Sequence, residues 1–222
     1  MKKTNTLVAL VFMVIIHGSN AQITQLELAS GPKKTDFTTL SFSPLTPNTA
    51  FTIATLAFFQ KFHQQEDLMF DELGVQSTLY WNINKSISIG PGLYYNSVAG
   101  FSERLSILYA IRSPHLVLTA IPTIAHSEQT GFINGELFLQ MQLTRPLKEN
   151  WNLLLSVQML ANWDKFSQHT RSFQQVRAGV DKQAIQFGLA VDYDQYGGAP
   201  DGATTVTRTS VGVFVRKTFQ NN

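Results

Sequence analysis

The feature that most constrains this chain is a two-residue hydrophobic period sustained over segments much longer than an ordinary strand. Over 132–145, Ile133, Leu137, Leu139, Met141 and Leu143 alternate with Asn134, Glu136, Gln140, Gln142 and Thr144. Over 151–163, Trp151, Leu153, Leu155, Val157, Met159, Ala161 and Trp163 share one face, and Asn152, Ser156, Gln158 and Asn162 the other. In 183–194, Ile185, Phe187, Leu189, Val191 and Tyr193 oppose Gln186, Gly188, Ala190, Asp192 and Asp194. In 204–219, Val211, Val213, Val215 and Phe219 oppose Arg208, Ser210, Gly212 and Arg216. Successive strand side chains point to opposite faces, so the pattern specifies β-structure with one apolar and one polar face.

Weaker segments of the same kind occupy 49–62, 70–83, 86–97, 102–112, 115–126 and 173–181. Turn chemistry separates them, as in Ala99-Gly100, Arg112-Ser113-Pro114 and Gly197-Gly198-Ala199-Pro200. The order suits an all-β, antiparallel up-and-down barrel forming one domain over 22–222. Residues 22–48 read either as a first hairpin, through Leu26, Leu28, Thr38, Leu40 and Phe42, or as an N-terminal arm. The hairpin gives twelve strands and the arm ten, both even as single-chain bacterial barrels require.

The next question is which way the apolar face points. A soluble barrel turns it inward and covers its exterior with charge, whereas a transmembrane barrel turns it toward lipid. Only 14% of this chain is charged, against roughly 25% in soluble domains. Segments of 11–14 residues exceed the usual strand of about 5–6 and match the ~9–11 a tilted membrane strand needs. Aromatics at strand ends, Trp81, Tyr94, Tyr95, Trp151, Trp163, Tyr193, Tyr196 and Phe219, form the expected interface girdle. The inward face then carries Glu72, Arg104, Arg112, Glu136, Arg145, Arg177, Asp192, Arg208 and Arg216 as lumen-lining charges. Pro91 and Pro122 oppose an uninterrupted ladder; Gly90-Pro91-Gly92 predicts a bulge.

Residues 1–21 read as a cleaved signal peptide: Lys2 and Lys3, an apolar core over Leu7–Ile16, then small residues ending at Ala21. Cysteine is absent, which excludes disulfides, thiolate metal sites and a lipidated N-terminal cysteine. No basic face suits nucleic acid. No cofactor or metal is expected: Gly90-Pro91-Gly92 precedes no helix, His63, His115, His126 and His169 lack ligand spacing, and Glu66, Asp67, Asp71 and Glu72 match no Ca²⁺ loop.

The signal peptide, the alternating strands and a last strand ending Val213-Phe214-Val215-Arg216-Lys217-Thr218-Phe219 resemble the small outer-membrane β-barrel proteins of Gram-negative bacteria. That resemblance is architectural and covers the mature chain. It implies a location in the outer membrane, contact with its lipids, and reading of Phe219 by the barrel-assembly machinery; Gln220-Asn221-Asn222 beyond the aromatic departs from the usual ending. It implies no activity. Three roles stay open. One is a structural or binding barrel with little or no open pore, using loops 63–69, 164–172 and 195–203 to meet an external partner. Another is a narrow anion-preferring pore or transporter, because the inward charges lean basic. The third is an embedded lipid hydrolase, for which His126, Ser127 and Glu136 supply the residue types of a triad.

Overall fold

A computed structural model describes residues 23–46, 48–63, 71–197 and 205–220. The expected signal peptide, and most of loops 63–69 and 195–203, lie outside the described residues. Twelve strands follow in chain order: β1 (Ile23–Ser30), β2 (Lys34–Pro44), β3 (Phe51–Phe62), β4 (Glu72–Asn82), β5 (Ile87–Asn96), β6 (Gly100–Arg112), β7 (Leu116–Ser127), β8 (Ile133–Pro146), β9 (Trp151–Asp164), β10 (Gln168–Lys182), β11 (Ile185–Tyr196) and β12 (Val206–Gln220). Each pairs antiparallel with the next, and β1 pairs with β12, with Ile23 opposite Gln220 and Ser30 opposite Val213. The sheet is therefore a closed up-and-down barrel. Residues 23–44 supply its first hairpin, not an arm.

The two faces are distributed inside out relative to a soluble protein. Leu93, Leu189 and Val213 are each more than 60% exposed on the exterior. Arg177 and Arg216, on the opposite faces of their strands, are each 2% exposed. Such a surface suits hydrocarbon and not water, so the barrel is of the transmembrane kind. The interior also holds apolar packing: Tyr80, Leu108 and Ala110 gather Phe42, Ala54 and Ile121, while Ala29, Leu154, Ala190 and Phe214 form a second cluster.

Several local expectations change. Gly90-Pro91-Gly92 is not a register-shifting bulge. Pairing runs from Thr78 with Gly92 to Trp81 with Ile89 in constant register, and the ladder simply lapses opposite Pro91. The same happens at Pro122, between the pairs Ser106–Thr123 and Tyr109–Ala120. A proline lacks the N–H for one side of the ladder, and each still faces a paired neighbour on its other side, Leu105 and Leu137 respectively. Residues 168–172, expected within a loop, belong to β10, leaving only 165–167 between β9 and β10. Gln183 and Ala184, both within the strand expected over 183–194, are a two-residue hairpin turn at positive φ, 52° and 65°.

Candidate functional site

The lumen is where the chain concentrates its buried polar chemistry. β10 has one irregularity, a register shift against β9 between His169 and Arg171. One extra residue inverts the in–out alternation, so Arg171 points inward and faces Asn162 although His169, two residues earlier, pairs with outward Trp163. Arg171 bonds the carboxylate of Glu72 and donates to Gln60 Oε1 at 3.2 Å. Its guanidinium also lies 5.1 Å from the Tyr196 ring. Asn96 donates to Glu72 from the next strand and to the Tyr94 hydroxyl at 2.8 Å.

A second network begins at Lys34, whose ammonium meets Asp36 at 2.9 Å and Asp192 and Asp194 at 3.2 Å each. Asp192 binds Arg177 at 2.5 Å, and Arg177 reaches Glu27 at 2.9 Å. Glu27 also holds Arg216, at 2.5 Å, and Arg216 donates to Gln186 at 3.1 Å and to Gln142 at 3.4 Å. Arg208 lies opposite Asp194 in register, against the Phe62 ring. A third set is Arg104 forked on Glu136, both bonds 3.0 Å, with Gln76 as a further acceptor and the Tyr94 ring 4.1 Å away. Such two-point pairing fixes both side chains in one geometry.

Among the described residues, six cations, Lys34, Arg104, Arg171, Arg177, Arg208 and Arg216, thus share these three networks with six carboxylates, Glu27, Asp36, Glu72, Glu136, Asp192 and Asp194; Asp181 also faces inward, held by Gln186 near the strand end. Sequence reasoning placed Glu72, Arg104, Glu136, Arg177, Asp192, Arg208 and Arg216 there and put Asp194 on the same polar face without naming it a lumen charge, but missed Lys34, Asp36, Glu27 and Arg171. Arg112 keeps an inward register but is exposed at the strand end. Arg145 is a correction: it shares the register of Leu139 and Leu143, so it is exposed on the outer wall.

The aromatic girdle also needs revision. Trp81, Tyr95, Trp151, Trp163, Tyr193 and Phe219 take the outward register. Tyr94 and Tyr196 do not: adjacent Tyr94 and Tyr95 must face opposite sides, and Tyr196 shares the face of Asp192 and Asp194. Both stand in the lumen beside Arg104 and Arg171 respectively.

The triad residues do not assemble. His126 faces outward, 3.6 Å from exposed Glu103, while Ser127 takes the alternate face and Glu136 is held by Arg104. Among the described residues no group of three His, Asp or Glu has metal-binding geometry. Asp71 is held by Lys61 at 2.8 Å and accepts the Phe62 N–H at 3.0 Å; Glu66 and Asp67 lie outside the described residues. At the end opposite the termini, a surface hollow of about 410 Å³ is lined by residues including Tyr95, Asn96, Phe101, Glu128 and Gln129.

No family profile matches the chain, and no curated protein matches it. Among solved structures it is similar to a bacterial polysaccharide outer membrane secretin, at 12% identity and a TM-score of 0.43, covering 93% of this chain and 100% of that one. The NanC porin gives 8% and 0.47, covering 89% and 99%. An outer membrane channel from Pseudomonas putida F1 gives 10% and 0.47, covering 91% and 97%. No residue role is carried over from any of them.

Proposed function

We propose that this protein is an integral β-barrel of a Gram-negative outer membrane with an occluded lumen, serving as a scaffold for binding at the end opposite its termini. In this reading residues 1–21 direct export and are removed, and the strand ending at Phe219 is presented to the barrel-assembly machinery. The carrying observation is the Arg171–Glu72 ion pair. β10 and β4 are six positions apart in a ring of twelve, so the pair joins opposite walls. Side chains that line a water-filled bore stay wetted, yet Glu72, Arg177, Asp194 and Arg216 are each at most 4% exposed. Pairing also leaves the three networks with as many carboxylates as cations, which removes the basic excess that suggested anion preference.

Planar-bilayer recording of refolded protein tests this. A silent bilayer is expected, and stable single-channel steps would refute occlusion. Boil-dependent gel mobility and protease-resistant strands in vesicles test membrane insertion separately.

A further inference from the structure

The outward charge of the barrel is unevenly arranged. At the end carrying both termini, Arg145 on β8, Lys182 on β10 and Lys217 on β12 all face outward, and Lys148 lies in the exposed turn between β8 and β9. Trp151, Lys182, Ile185 and Lys217 form one continuous register row across β9 to β12. Alternate strands of such a row are roughly 10 Å apart. Lys182 stands 4.6 Å from the Trp151 ring, and Trp151 packs edge-on against Phe187 at 6.0 Å. Aliphatic Leu143, Leu153 and Val215 lie on the same outer wall, nearer mid-strand.

Among the described residues, none of Arg145, Lys182 and Lys217 forms an ion pair. Lys217 reaches the Gln183 carbonyl, at 3.5 Å, and stands 6.0 Å from the Phe219 ring. The nearby carboxylates do not answer them: Asp181 faces inward and accepts from Gln186, and Glu149 sits beside Lys148 in its turn. At the opposite rim Lys61 is matched by Asp71 and Glu103 lies 3.6 Å from His126, while Lys33 meets the Thr209 carbonyl and Lys165 the Phe132 ring, so cations and carboxylates are mixed there.

We infer that the outer wall over β8–β12 at the terminal end is a docking face for the headgroups of anionic phospholipids. Cations there meet phosphate, the Trp151 and Phe187 rings sit at the depth of the glycerol region, and the aliphatic wall takes the acyl chains. The unpaired charge selects the occupant: a zwitterionic lipid leaves three cations uncompensated, and an anionic one neutralises them. This inference rests on the transmembrane reading.

The test uses full-length mature protein refolded in vesicles, carrying Trp81→Phe and Trp163→Phe so that Trp151 alone reports. Quenching by brominated phosphatidylglycerol and brominated phosphatidylcholine gives their relative affinity at this face. A preference of roughly ten-fold for phosphatidylglycerol is expected, lowered by salt and lost in the variant Arg145→Gln, Lys182→Gln, Lys217→Gln. The opposite-end variant Lys33→Gln, Lys61→Gln, Lys165→Gln keeps it. Equal affinity for the two lipids, or a preference that survives the first triple variant, overturns the inference while protease protection still upholds the membrane reading. Loss of protease protection in wild-type protein would overturn both.

Discussion

Arg171 and Glu72, 99 residues apart in sequence, are bonded across the full width of the barrel. Removing one partner of a buried pair leaves an uncompensated charge, which costs about 3–5 kcal/mol. Arg171→Ala should therefore lower the urea midpoint of the refolded barrel, and adding Glu72→Gln should restore part of the loss. A double-mutant cycle checks this; additive effects would show that the pair is not coupled.

Arg104 grips both oxygens of Glu136. Lysine keeps the charge but cannot make the planar two-point contact. Arg104→Lys should cost about 1.5 kcal/mol, in the range for hydrogen bonds to charged groups, measured by the same unfolding transition.

The β10–β11 turn holds Gln183 and Ala184 at positive φ without a glycine. Left-handed backbone costs an L-residue roughly 1–2 kcal/mol. The double change Gln183→Asn, Ala184→Gly should stabilise the barrel by about 1 kcal/mol, seen as a raised unfolding midpoint.

Asp71 lies outside the strands, and the hydrogen bond from Lys61 holds its carboxyl below the ordinary range. A group with a depressed folded pKa contributes above its unfolded value and loses that contribution as pH falls through the folded one. Proteolysis of the adjoining 63–71 connection, by an acid-active protease, should quicken as pH drops below about 4. Asp71→Asn should remove that pH step.

His126 and Ser127 occupy opposite faces of β7. Ser127→Ala should leave any background hydrolysis of phospholipid or lipopolysaccharide acyl chains unchanged. A serine-dependent rate in a chromatographic assay would contradict this placement.

The sequence made the architecture legible wherever one face was uniformly apolar. In β8, β9, β11 and β12 the alternation also assigns Glu136, Asp192, Arg208 and Arg216 to the polar side. β2 resists that reading. Its inner face is charged at one end, Lys34 and Asp36, and apolar at the other, Leu40 and Phe42, while Thr39, Ser41 and Ser43 face outward. No binary pattern survives such a mixture, so Lys34 and Asp36 went unseen. Tyr94 and Tyr196 were misplaced for another reason: nearness to a strand end was weighed above alternation. Arg145 shows the same lesson, since five residues of its own strand, Ile133, Leu137, Leu139, Met141 and Leu143, already fixed its side.

The irregularity at His169–Arg171 has a consequence for how this chain tolerates length changes. The whole of β10 beyond that point is read in opposite phase to the residues before it. Thr170 is the extra residue, so deleting it would close the shift: Arg171 would follow His169 directly and still face Asn162, with Arg177 left inward and Val176 and Val180 outward. The same deletion at Gln174, inside the continuous ladder, would turn Arg177 toward hydrocarbon and bring Val176 and Val180 into the charged interior. β10 can therefore lose a residue at one place without mixing lipid and buried charge, and not a few positions further along.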